Sequence, residues 1–192
     1  MNIWFTADTH FAHPKIIEFC KKTRPCKPED MDNVLIDKWN SVVKDNDIIY
    51  VLGDFCWSNQ ADKYINRLSG NIKFIPGNHD FWLKKDKLKK QNFTKTNFEI
   101  LPHYHEARFN KTKFVLCHYP IAHWNRMQYG SIHLYGHVHG ALALDGKAMD
   151  VGIDNRLNCD MLPFHIDEIW DIMKERPVIQ HHLLAKANCS IE

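Results

Sequence analysis

Five apolar segments in this chain each run straight into a residue able to bind a metal, and this recurrence decides most about the fold. The segment Asn2–Ala7 leads into Asp8 and His10. Ile48–Leu52 leads through Gly53 into Asp54, and Ile72–Ile75 leads into Asn78 and His79. Phe114–Cys117 leads into His118, and Ile132–Tyr135 leads into His137 and His139. Short apolar runs of this kind are strands buried in a sheet. Polar loops at strand ends are where open α/β sheets place their sites. If those ends gather on one edge, a single pocket collects two carboxylates, one amide and five imidazoles.

Between the strands the periodicity turns helical. Pro14 suits the first turn of a helix running to about Lys22. Asp30 is a plausible N-cap for Met31–Lys44, where Val34, Leu35, Trp39, Val42 and Val43 share a stripe. Helices are also expected over Asn59–Ser69, Lys84–Lys90 and Ile166–Lys174. The second half is richer in hairpin signals. One is Asn110–Lys113 between Phe109 and Phe114; another is Asp145-Gly146, read as a turn joining Ala141–Leu144 to Lys147–Ile153. No repeat or linker interrupts the pattern, so residues 1–192 are read as one α/β domain with a sheet-based core.

Composition narrows the class. The formal charge of +2 is too small for a dedicated nucleic-acid coat, although Lys84, Lys85, Lys87, Lys89 and Lys90 form a basic patch, read as a solvated helix face. No apolar run approaches the ~20 residues that span a bilayer. The six cysteines form no C-x-x-C pair and the N-terminus enters a strand directly, without a basic leader. These features predict a cytoplasmic protein with reduced thiols, each a small buried hydrophobe. The 13 histidines are the one abnormal count, and excess histidine points to metal, acid–base chemistry or a pH switch.

Spacing favours metal. Asp8 and His10, and likewise His137 and His139, stand at i and i+2, which in extended chain puts both side chains on one face. Gly53, Gly77, Gly136 and Gly140 allow the tight turns needed beside them. Imidazole and carboxylate suit divalent Zn, Mn, Fe or Ni. Seven candidates (Asp8, His10, Asp54, Asn78, His118, His137, His139) exceed one tetrahedral site and fit two ions if one carboxylate bridges. Paired ions of that kind form a clamp for in-line displacement at phosphorus. His79 is then left for acid–base work.

The set Asp8-Thr9-His10, Gly53-Asp54, Gly77-Asn78-His79-Asp80, His118 and Gly136-His137-Val138-His139 resembles the calcineurin-like metallophosphoesterase superfamily. The texture of Trp4–Phe11 and of Asp150-Val151-Gly152-Ile153-Asp154 is similar to its small single-domain bacterial and phage members. The resemblance implies a four-layer fold, two packed mixed β-sheets flanked by helices. It implies that Asp8, His10 and His139 hold a first metal, that Asn78, His118 and His137 hold a second, and that Asp54 bridges them. It implies that His79 contacts the phosphate and assists the leaving oxygen, with Asp80 orienting His79. The expected cofactors are two divalent ions, manganese first, with iron, zinc or nickel as alternatives.

The pattern departs after Asp54, where Phe55-Cys56-Trp57 carries no arginine to grip a monoester. That argues against protein-phosphatase activity and for a phosphodiester, a cyclic or linear nucleotide or a nucleic-acid end, attacked by metal-activated hydroxide. A phosphomonoesterase or nucleotide pyrophosphohydrolase is the competing reading. A non-catalytic binding scaffold would have lost a ligand, and none is lost. Outside the ligand set, His13 at a helix N-terminus is a candidate phosphate contact. Arg24 is a candidate phosphate clamp, and His123 a candidate substrate wall beside Trp124. His103, His105, His133, His165, His181 and His182 carry no motif and are read as surface or packing residues.

Overall fold

A computed structural model describes residues 1–180; His181, His182 and Cys189 lie outside the described residues. The chain forms strands β1 (Ile3–Thr6), β2 (Ile48–Leu52), β3 (Asn71–Ile75), β4 (Phe98–Ile100), β5 (Tyr104–Phe109), β6 (Thr112–Cys117), β7 (Ile132–Tyr135), β8 (Ala148–Asp150) and β9 (Phe164–His165). Helices are α1 (Ile16–Phe19), α2 (Met31–Val42), α3 (Asp62–Ile65), α4 (Lys85–Leu88) and α5 (Ile166–Lys174). A five-stranded sheet has the order β4-β3-β2-β1-β9, and a four-stranded sheet the order β5-β6-β7-β8. Both are mixed. β1 to β4 pair in parallel and β9 joins antiparallel. In the second sheet β5 and β6 are antiparallel, and β6, β7 and β8 are parallel.

The two sheets pack face to face. Phe5, Tyr50, Leu52 and Ile75 of the first interdigitate with Phe114, Leu116, Ile132, Leu134 and Met149 of the second. β2 is apolar along its length because both its faces are covered: Tyr50 and Leu52 point into this inter-sheet core, while Ile49 and Val51 point the other way. There they meet the buried stripe of α2, Met31, Leu35, Ile36 and Trp39. A third cluster on the far face of the second sheet packs Trp124 and Met127 on Val115, Tyr135 and Ala148. No helix among the described residues is long and apolar enough to cross a membrane.

Several local expectations change. The helices after Pro14 and after Asn59 shrink to single turns, and Asp30 makes no side-chain cap. α5 is instead capped by His165, whose ring accepts from Asp167 N while Glu168 accepts from His165 N. The Asn110–Lys113 hairpin forms, with Asn110 and Lys111 both left-handed as a two-residue hairpin loop needs. The Asp145-Gly146 hairpin does not. β8 pairs parallel to β7, and residues 141–144 form no strand. Their polar groups turn to Tyr135, whose hydroxyl donates to Leu142 O and accepts from Leu144 N.

Candidate metal centre

β1, β2 and β3 run parallel to one another, as do β6 and β7, and the segments that follow all five strands converge on one rim. The backbone keeps pairing past the strands: Asp8 N donates to Gly53 O, His10 N to Asp54 O, and Gly136 N to His118 O. Two groups of donors result. Asp8, His10 and His139 form one, and Asp54, His118 and His137 the other, each with its ligand atoms within 4.8 Å of one another. Asp54 faces both. Its Oδ2 lies 3.8 Å from His10 Nε2, and its Oδ1 lies 3.5 Å from His118 Nε2. Asn78 Oδ1 stands 3.0 Å from the same His118 nitrogen. All seven expected ligands are thus brought together.

The i, i+2 pairs meet at the rim, but not in the extended geometry expected of them. Asp8 (φ 56°), His10 (φ 50°), Asp54 (φ 51°), His137 (φ 73°) and His139 (φ 49°) are left-handed, not extended. Side chains other than glycine seldom accept this region, and clustering of such residues is a mark of functional sites. The glycines make room for the carboxylates. A Cβ on Gly77 would sit 2.3 Å from Asp54 Oδ1, and one on Gly136 would sit 2.6 Å from Asp8 Oδ2.

Both ring nitrogens of His10 are buried and have no hydrogen-bond partner. Buried polar atoms are almost always paired, so a ring left this way beside two carboxylates fits a metal ligand. His139 fits the same role. Its Nδ1 lies 2.7 Å from Asp154 Oδ2, so that Nε2 could serve an ion, in the usual carboxylate–histidine arrangement at metals. His118 Nδ1 is similarly held by Leu52 O at 2.8 Å.

The electrostatics follow from burial and pairing. Burial pushes Asp8 up to about 7 against the pull of His139 and His118. Burial takes His10 down to about 3. Burial opposes the charge on Asp54, yet its hydrogen bond and charge interaction with His118 hold it at about 2. Burial alone would lower His139, but its bonds to Asp154 and Cys20 and the charge of Asp8 raise it to about 10.

Three expected roles are corrected. Arg24 is no phosphate clamp: its side chain is fully buried and paired through Nε and Nη2 with both oxygens of Asp154, and it donates to Asp8 O and Thr9 O. Asp80 does not orient His79. Its carboxylate accepts from Asp54 N, Phe55 N, Gly77 N and Trp82 Nε1, and so fixes the loops that carry Asp54 and Asn78. His13 gains no helix-dipole site, because α1 is a single turn, Ile16–Phe19, with Lys15 at its N-cap position. It nevertheless reaches the rim, with ring centroids 5.9 Å from His10 and 4.2 Å from Trp57. His123 is exposed on the loop after His118, beside the buried Trp124. His79 stands over the centre, its Nε2 3.9 Å from Asp54 Oδ2.

Sequence reasoning missed Asp154 as the support of His139, and Asp150, which accepts from Gly140 N and Gly152 N. The Asp150–Asp154 segment was the available signal. It also missed Trp57, whose ring centroid lies 4.7 Å from His79.

A rim of candidate metal ligands at the C-terminal ends of strands in two packed mixed sheets is the architecture of a metallophosphoesterase fold. The chain belongs to the calcineurin-like phosphoesterase superfamily, whose domain model matches residues 1–151. It is 36% identical over 143 residues to an uncharacterised protein of Methanocaldococcus jannaschii, covering 72% of this chain and 69% of that one. It is 27% identical over 203 residues to the Gene 66 protein of Mycobacterium phage L5, covering 90% and 94%. Among solved structures, a protein of unknown function from Aquifex aeolicus superimposes with a TM-score of 0.66 at 22% identity, covering 89% and 98%.

Proposed function

We propose that the whole chain, residues 1–192, is a single-domain phosphodiesterase acting through two divalent ions. The observation that carries this reading is the placement of Asp54, one carboxylate shared by two donor groups. Asp8, His10 and His139 would hold one ion, Asn78, His118 and His137 the other, and Asp54 both. Manganese is the expected metal, with iron, zinc or nickel as alternatives. When bound, such a pair supplies charge for the phosphoryl oxygens and lowers the pKa of water.

The protein supplies the rest. The buried carboxylates and imidazoles are fixed before substrate arrives, so little reorganisation accompanies the reaction. His79, half-buried and with Nε2 3.9 Å from Asp54 Oδ2, would give a proton to the departing alkoxide. His13 and His123 are proposed substrate contacts at the rim. The absence of an arginine after Asp54 favours a diester, nucleotide-like or a nucleic-acid end, over a monoester. Cytoplasm, bacterial or of a phage-infected host, suits five described cysteines that are all unpaired.

The test is turnover of bis-p-nitrophenyl phosphate against p-nitrophenyl phosphate with Mn, Ni, Zn and Fe. Diester turnover should exceed monoester turnover. His79→Ala should lose about 10²–10⁴-fold in rate and still bind two ions, whereas Asp54→Ala should lose metal. Inactivity on both esters with every metal, or two ions retained by Asp54→Ala, would overturn the reading.

A further inference from the structure

Next to His79 the surface carries a continuous run of rings and cations that the hydrolytic chemistry does not use. Trp57 is 45% exposed although it is a large apolar side chain. Its ring packs 4.2 Å from His13 and 4.7 Å from His79. Phe81, also 45% exposed, lies 6.2 Å from His79 in an edge-on arrangement. Lys84 Nζ sits 5.3 Å from the Phe81 ring. From there the chain continues through Lys85, Lys87, Lys89 and Lys90, with Asp86 the single acid of that stretch. Step by step, the path leads from beside His79 over two part-exposed rings to Lys84, where the lysine-rich stretch begins.

An aliphatic or lipid partner would be met by aliphatic side chains, and a small anion would need only the lysines. Flat rings alternating with cations suit a strand whose bases stack and whose phosphates need neutralising. We infer that Trp57, Phe81 and the 84–90 lysines form a track for single-stranded nucleic acid. A base flanking the scissile phosphate stacks on Trp57, and the strand continues past Phe81 onto Lys84 and Lys85. The inference rests on the phosphodiesterase reading for its location and adds the substrate class. It also reassigns the lysine patch, which the sequence alone presents as a solvated face.

The experiment is fluorescence anisotropy on the manganese-loaded protein with two labelled decanucleotides of phosphorothioate DNA, one carrying bases and one abasic. The base-bearing strand should bind about tenfold tighter or more, the gain expected from stacking one base. Trp57→Ala should erase that preference, and Trp57→Phe should keep most of it. Lys84→Ala with Lys85→Ala should weaken both strands alike and flatten the salt dependence by roughly 0.7 in log–log slope per lysine lost. Equal affinity for the two strands, a preference that survives in Trp57→Ala, or an unchanged salt slope would overturn the inference. Turnover of bis-p-nitrophenyl phosphate, measured in parallel, separates the two proposals. Loss of turnover with strand binding intact counts against the phosphodiesterase alone, and turnover without strand preference counts against the track alone.

Discussion

Asp154 is placed where several groups depend on one carboxylate. It accepts from Thr23 Oγ1, from Arg24 and from His139 Nδ1, and together these hold it well below the ordinary carboxylate range despite its burial. Asp154→Asn should therefore weaken metal binding at the His139 position by about 10–100-fold, read by metal titration of the folded protein. Arg24→Ala leaves that carboxylate without its buried cation and should cost about 3–5 kcal/mol in chemical denaturation. Arg24→Lys should not restore it, because the two-pronged contact needs a guanidinium. The metal centre should also be pH-dependent. At neutral pH Asp8, at about 7, is partly protonated and His139, at about 10, is protonated, and an ion must displace those protons, while His10 is already neutral. Affinity should rise as pH climbs through 7 towards 10 and fall in acid. Calorimetry in two buffers of different ionisation enthalpy should show proton release at pH 7; an absence of release would contradict the assignment. The gathering of the seven candidate ligands was legible in the sequence because each sits a few positions behind an apolar run. Asp154 and Arg24 were not legible as a pair, since they meet across a sequence separation of 130.

Strands were easier to read than the segments around them. Ile48–Leu52 is β2 to the residue, because a central parallel strand needs apolar side chains on both faces. The helices after Pro14 and Asn59 were overread. Their apolar positions fit a helical period, but only one turn of each is helical. Asp145-Gly146 failed for another reason: a local turn signal carries no information on whether the next strand runs parallel to its neighbour. The loops bearing ligands depend on glycine at two close approaches. Gly136→Ala would drive a methyl against Asp8 Oδ2, and Gly77→Ala would drive one against Asp54 Oδ1. Each should lower metal stoichiometry, measured by elemental analysis of the purified protein, while the far-ultraviolet circular dichroism keeps its α/β form.

Each donor group spans both sheets. Asp8 and His10 follow β1 while His139 follows β7; Asp54 follows β2 while His118 and His137 follow β6 and β7. An ion bound in either group would tie together two sheets otherwise joined by apolar packing around Phe5, Phe114 and Leu134. Thermal stability should therefore track metal: at a hundredfold excess over Kd an ion adds about 2.7 kcal/mol, and chelation should lower the melting temperature accordingly. Phe114→Ala, which opens the same interface from inside, should cost about 3–5 kcal/mol with or without metal. The division of ligands between the sheets also sets a timetable for the living cell. A chain made from its N-terminus has Asp8, His10 and Asp54 early, but lacks His139 and its support Asp154 until long afterwards. On the proposed assignment the nascent protein would hold no complete cage for a stray ion, and metal would act late, as a lock on sheets already closed.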